Sequence, residues 1–190
     1  MGNRWTFRAL FHAGVLASFA LFLPTSAARA QTSVYGTVAL TDFCSTVLSA
    51  TTCKGDTVGL LVGGFYNFPI QSRVTVGVDG RLSQAFGRKG GTSVTGAVRV
   101  AFVPKVNPLR PYFELGGGVV SSAGTAPPVY APRYTSGVLQ LAMGLDIKLT
   151  DSFDLRAIEF GGASGGGAGT KPAAGTGYLD AGIVYHFGHR

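Results

Sequence analysis

Apolar and polar or small side chains alternate along most of eight separate stretches of this chain, the second of which, 56–67, is apolar on both faces. That period of two belongs to β-strands, whose successive side chains point to opposite faces, and it is incompatible with a helix. The clearest case is 72–85. Val74, Val76, Val78 and Leu82 take one side with Gly80, and Arg73, Thr75, Gly77, Asp79, Arg81 and Ser83 take the other. Together the stretches predict strands over 32–43, 56–67, 72–85, 92–103, 109–121, 136–149, 153–160 and 177–187. The connections alternate in length. Those at 44–55, 86–91, 122–135 and 161–175 are loop-like, whereas 68–71, 104–108 and 150–152 are short turns, the first closed by Pro69. An up-and-down antiparallel barrel places the two kinds at opposite ends. The expected fold is therefore all-β, an eight-stranded antiparallel barrel.

The first thirty residues read as a leader. Arg4 and Arg8 precede an apolar run over 9–23, Pro24 breaks it, and Ala28-Arg29-Ala30 is a small-residue cleavage box. A secretory signal peptide over 1–30 and one barrel domain over 31–190 follow. After removal of the leader, thirteen basic residues face nine acidic ones, a net charge of +4 with no basic stripe, so nucleic acid is not an expected partner. No later segment offers the 18 or so consecutive apolar residues of a spanning helix. Export without such a helix leaves a secreted β domain or a membrane barrel. Cys44 and Cys53, with eight residues between them, are expected to form a disulfide in an oxidising compartment, and no histidine lies nearby in sequence to complete a metal site.

Alternation alone does not say which face is outside. In a soluble barrel the apolar face is the core; in a membrane barrel it meets lipid. The apolar series are long, up to six positions on 136–149, and the opposite faces hold many glycines and alanines with few charges. Small residues suit a narrow lumen. The charges also balance: Arg73, Arg81, Arg99, Lys148 and Arg156 stand against Asp79, Glu114, Asp146, Asp154 and Asp180. An unpaired buried charge is costly, so this set is expected to plug the lumen as ion pairs. Strict alternation in 153–160 puts Glu159 on the lipid face. Either Glu159 lies near the external rim or a bulge around Ala157 and Ile158 reverses the register.

With these features the chain resembles the small eight-stranded OmpA/OmpX-type bacterial outer-membrane barrels. The resemblance spans 31–187 and includes the last strand, where Leu179, Ala181, Ile183, Tyr185 and Phe187 match the family's assembly signal, although Gly188-His189-Arg190 follow. It implies an outer-membrane location and contact with lipid and lipopolysaccharide. It also implies recognition by the barrel-insertion machinery and a monomeric barrel without a cofactor. An external partner would be met through loops 44–55, 122–135 and 161–175. The family is functionally diverse, so the fold does not name an activity.

The glycine-rich runs 161–167 and 87–91 lack a phosphate-loop ending and a following helix, which makes them loops. Arg88, Lys89 and Arg133 are candidates for anionic groups at the external end. His186 is expected at the periplasmic end, with no serine in a nucleophile-like setting, so no catalysis is expected. Tyr66, Phe68, Phe102, Phe153, Tyr185 and Phe187 lie near the short turns, where an aromatic belt would sit. The leading expectation is a structural or surface-interaction barrel. Alternatives are a porin-like narrow channel, a soluble lipocalin-like exported binder and a lipid-modifying enzyme.

Overall fold

The computed structural model describes residues 31–187, except 48–49, 54–56, 69–72, 87–89, 105, 124–132 and 166–172. Side chains are also left undescribed at 31, 43–47, 50–53, 122–123, 133–134 and 173–174. The elements are β1 (Gln31–Val47), β2 (Ala50–Cys53), β3 (Thr57–Asn67), β4 (Val74–Ala85), β5 (Gly91–Phe102), β6 (Leu109–Ala123), β7 (Arg133–Lys148), β8 (Phe153–Ser164) and β9 (Ala173–Phe187). Among the described residues there is no helix.

Each strand pairs antiparallel with the next along the series β1, β3, β4, β5, β6, β7, β8, β9, and β1 then pairs with β9. Val34 faces Tyr185 and Leu40 faces Leu179 along that closing seam. Eight strands thus form a closed barrel, which leaves no sheet edge in the wall. The ninth element, β2, pairs only with the upper part of β1, from Cys44 opposite Cys53 to Val47 opposite Ala50.

The strands run further at the loop end than the apolar alternation predicts. The segment 44–55 contains the β1–β2 hairpin, β6 reaches Ala123, β7 begins at Arg133, β8 reaches Ser164 and β9 begins at Ala173. The reason is physical. Alternation records which side chains meet lipid, but ladder hydrogen bonds continue after a strand leaves it, where serine, threonine and glycine serve as well as valine. The three even connections are short, and at this end Leu149 and Thr150 donate to the Phe153 carbonyl at 3.0 and 2.9 Å.

Side chains are distributed inside out. Val38, Leu115 and Leu139 on the outer face are 58, 56 and 75 % exposed, while Glu114, Arg156 and Glu159 are wholly enclosed. The apolar series therefore forms the exterior. This corrects the soluble lipocalin-like alternative, which requires the same residues inside. Outward aromatics cluster at the short-turn end: Tyr66–Phe68, Phe153–Tyr185 and Tyr185–Phe187 have ring centroids 5.4, 5.1 and 4.9 Å apart.

One irregularity lies in β8. Leu145 pairs with Ile158 but Asp146 with Arg156, and on the other side Glu159 pairs with Asp180 but Arg156 with Gly182. Two residues, Ala157 and Ile158, thus occupy the space of one. This bulge turns both Arg156 and Glu159 inward.

Candidate functional site

Three arginines of the lumen form its central cluster, each supplied by the inward parity of its own strand: Arg81 from β4, Arg99 from β5 and Arg156 from β8. The carboxylates come from β6 (Glu114), β7 (Asp146) and β8 (Glu159). Arg99 donates to Glu114 and to Asp146, both at 2.7 Å. Arg156 donates to Asp146 at 3.1 Å and to Glu159 at 2.9 Å. Arg81 closes the circuit by donating to Glu159 and Glu114. Six charges of alternating sign thus form an unbroken ring across the barrel. Asp79 joins it through the Nε of Arg81 at 3.0 Å.

Tyrosines complete the hydrogen bonding. Tyr35 donates to both Asp79 oxygens at 2.9 and 3.0 Å, and Tyr112 donates to Glu159 at 2.5 Å. Tyr178 accepts from Arg81 at 2.8 Å and donates to Glu159 at 3.0 Å. All three tyrosines sit in the same way, each opposite a glycine of the neighbouring strand: Gly63, Gly144 and Gly161. A Cβ at any of those glycines would collide with the phenol, so the bare backbone is what admits the ring. Aromatic faces also cover the cations. The Arg99 guanidinium lies 3.6 Å from the Tyr112 centroid and 4.3 Å from that of Phe65, and Arg156 lies 4.0 Å from Tyr35. Desolvating so many charges is costly, and only this degree of mutual pairing offsets it.

A second cluster lies nearer the short-turn end. Arg110 donates to Asp154 Oδ2 at 2.7 Å, and His186 Nε2 contacts the same oxygen at 2.8 Å. The other ring nitrogen, Nδ1, is 2.7 Å from Ser33 Oγ. The cluster joins β1, β6, β8 and β9, including both strands of the closing seam. Ser33 is completely enclosed.

The ten residues expected in the lumen divide as follows. Asp79, Arg81, Arg99, Glu114, Asp146 and Arg156 belong to the ring and its Asp79 extension, and Asp154 to the second cluster. Asp180 is lumenal and 3 % exposed, opposite Glu159, but neither of its oxygens has a hydrogen-bond partner among the described residues. Two expectations are corrected. Arg73 is exposed just before β4. Lys148 is half-buried at the end of β7 and pairs with Asp151 of the adjacent turn at 2.7 Å. Both stand at strand ends, where water is within reach and burial in the lumen has no advantage.

Alternation alone left out Glu159, which needed the bulge, and Arg110. The latter has the same parity as Tyr112 and Glu114, so that signal was present. Ser33 and the lumenal tyrosines carried no mark beyond parity. Leu179, Ala181, Ile183, Tyr185 and Phe187 all lie exposed on the outer face of β9. Cys44 and Cys53 are backbone partners across the β1–β2 hairpin, and their side chains fall outside the described residues. The leader over 1–30 and Arg88, Lys89 and the side chain of Arg133 also fall outside them.

A closed eight-stranded β-barrel with an apolar exterior, a charged interior and paired aromatics at its short-turn end is a transmembrane barrel of the outer-membrane type. Comparison with solved structures gives the same fold. Neisserial surface protein A (NspA) matches with a TM-score of 0.53 at 15 % identity, over 82 % of this chain and 97 % of that one. The attachment invasion locus protein Ail of Yersinia pestis covers 82 and 98 % of the two chains at 14 % identity and a TM-score of 0.48. The N-terminal β-barrel domain of Pseudomonas aeruginosa OprF covers 80 and 97 % at 14 % identity and 0.44. No family model matches the chain, and no curated protein does. The chain has the fold of the small eight-stranded outer-membrane barrels, and the outer membrane is where a closed barrel with this surface resides.

Proposed function

We propose that this barrel is a non-catalytic, non-conducting structural and surface-interaction protein, whose lumen serves as a rigid plug and whose external end meets partners. The observation that carries this reading is the ring Arg81–Glu114–Arg99–Asp146–Arg156–Glu159, in which every member is at least 95 % enclosed. A hydrated ion has no route past six mutually paired charges. In planar bilayers the protein should give no discrete conductance steps, whereas Arg99→Ala with Glu114→Ala should open a path. Steps from the unsubstituted barrel would sink the plug reading and favour the narrow channel.

In this reading lipid and lipopolysaccharide surround a monomer, and β9 presents its outward series to the barrel-insertion machinery. External partners bind through segments 44–55, 122–135 and 161–175. Cys44 and Cys53, placed opposite each other by the hairpin, form a disulfide on this view. Thiol titration of the unfolded, unreduced chain should then find no free cysteine.

The Ser33–His186–Asp154 chain gives the enzyme alternative a specific observation, since a nucleophile, a base and an orienting carboxylate are in contact. Against it, Ser33 is completely enclosed, so a substrate would meet its hydroxyl only if the barrel rearranged. The chain therefore acts as a seam fastening. A serine-directed fluorophosphonate should leave Ser33 unlabelled, and labelling that disappears in His186→Ala would reinstate the hydrolase.

A further inference from the structure

The lumen has a cavity on the loop side of the charged ring. Its lining includes Ser83 beyond Arg81 on β4, Thr95 before Arg99 on β5, Gln140 before Asp146 on β7, and Thr176 and Tyr178 on β9. The volume is about 20 Å³, room for one particle the size of a water molecule.

Three of the lining side chains are enclosed and incompletely bonded. Thr95, Gln140 and Thr176 are 7, 2 and 9 % exposed, and Thr95 Oγ1, Gln140 Oε1 and Thr176 Oγ1 have no hydrogen-bond partner among the described residues. The Gln140 amide nitrogen donates to Tyr178 at 3.3 Å, so the free atom of that side chain is an acceptor. Gln140, Ala163 and Thr176 form one row across β7, β8 and β9, and the small Ala163 leaves space between the other two.

The enclosed charges of the barrel do not balance. Arg81, Arg99, Arg110 and Arg156 bond five carboxylates. Asp180 is a sixth, enclosed and without a partner for either oxygen. One negative charge is left over when His186 is protonated, and two when it is neutral. Asp180 stands opposite Ala39 of the cavity lining and is the next lumenal residue after Tyr178. An uncompensated charge in such a place is costly. A water in the cavity would bond the oxygens and leave the charge. A proton on Asp180 would offset charge and leave the Gln140 oxygen bare. An anion would meet that acceptor beside an Arg81 already bonded to three carboxylates. A cation answers both needs, and a set of mostly uncharged oxygens suits a hard monovalent one.

We propose that this cavity binds one alkali-metal cation, held by Thr95, Gln140 and Thr176 and balanced by Asp180. The inference is separate from the plug reading, because an ion held on the loop side does not pass the ring. The experiment measures the midpoint of heat modification of the folded barrel in KCl, NaCl and choline chloride at equal ionic strength, choline being too large for the cavity. At least one alkali salt should raise the midpoint by about 2–4 °C over choline, the shift given by a site about four-fifths filled.

Thr176→Val and Gln140→Leu each remove an oxygen, and Asp180→Asn removes the balancing charge. Each should erase the difference between salts, whereas Arg73→Ala, exposed at the other end of the barrel, should keep it. If one of the first two does not give the folded form, Thr95→Val replaces it. A crystal soaked in rubidium chloride should show an anomalous peak between Thr95, Gln140 and Thr176. Equal midpoints in the three salts would leave only water in the cavity and overturn the proposal. A difference that survives loss of the oxygens, or a rubidium peak elsewhere in the lumen, would overturn the assignment of these residues.

Discussion

Arg156 has two carboxylate partners, Asp146 and Glu159, and a tyrosine ring against its guanidinium. Truncating it leaves both carboxylates enclosed without that cation. Arg156→Ala should therefore cost about 3–5 kcal/mol, the usual penalty for removing one partner of a buried pair. Urea titration of the heat-modifiable folded form would show it as a lower midpoint, and an unchanged midpoint would remove the ring from the list of stabilising features. By contrast, Arg73→Ala and Lys148→Ala touch only exposed or half-exposed positions and should shift stability by no more than about 0.5 kcal/mol. Because Arg99 and Glu114 belong to one circuit, their single truncations should not add. A double-mutant cycle should return a coupling of about 0.5–3 kcal/mol, and strict additivity would mean that the two charges act separately.

Among the elements, β8 carries the testable peculiarity. Its bulge accommodates one residue more than regular pairing needs, and Arg156 and Glu159 both face inward around it. Deleting Ala157 would leave a single residue between them, which restores ordinary alternation without moving either charge to the lipid face. That deletion should yield a heat-modifiable barrel. Deleting Ala97 from the regular β5 should not, because it would turn Arg99 or Thr95 outward; the opposite result for either deletion would contradict the register described here.

The eight wall strands were legible because lipid on one side and a packed lumen on the other impose period two on every strand. Where that contrast ends, so does the signal. The upper hairpin of β1 and β2 and the extensions of β6 to β9 are held by backbone hydrogen bonds, which alternation does not report. The ring was legible as a charge balance but not as a set of pairs. Partners such as Arg81 and Glu159, 78 positions apart, meet only through the closed topology. Arg73 and Lys148 entered the expected balance because parity ignores depth, and depth decides whether a charge reaches water.

At the scale of the molecule, the wall divides two environments, and labelling should find that division. In a background with Cys44 and Cys53 replaced by serine, Val98→Cys on the outer face should react with a membrane-soluble maleimide, since Val98 is 52 % exposed. Ala97→Cys, pointing into the lumen from 9 % exposure, should not. Equal reactivity of the two would mean that the faces are not separated.

The paired aromatics have a mechanical consequence. Among the described residues the close outward ring pairs all lie at the short-turn end, in Tyr66–Phe68 and in the Phe153–Tyr185–Phe187 series. Rings of this kind hold a barrel at the level of the headgroups. These pairs thus moor the barrel at its short-turn end. When bilayer thickness changes, the inner boundary stays in register with the protein and the mismatch is taken up at the loop end, where paired strands already extend past the apolar band. A thicker membrane would draw headgroups up along those extensions, and a thinner one would bare them, so the surface offered to the outside is set partly by the membrane itself.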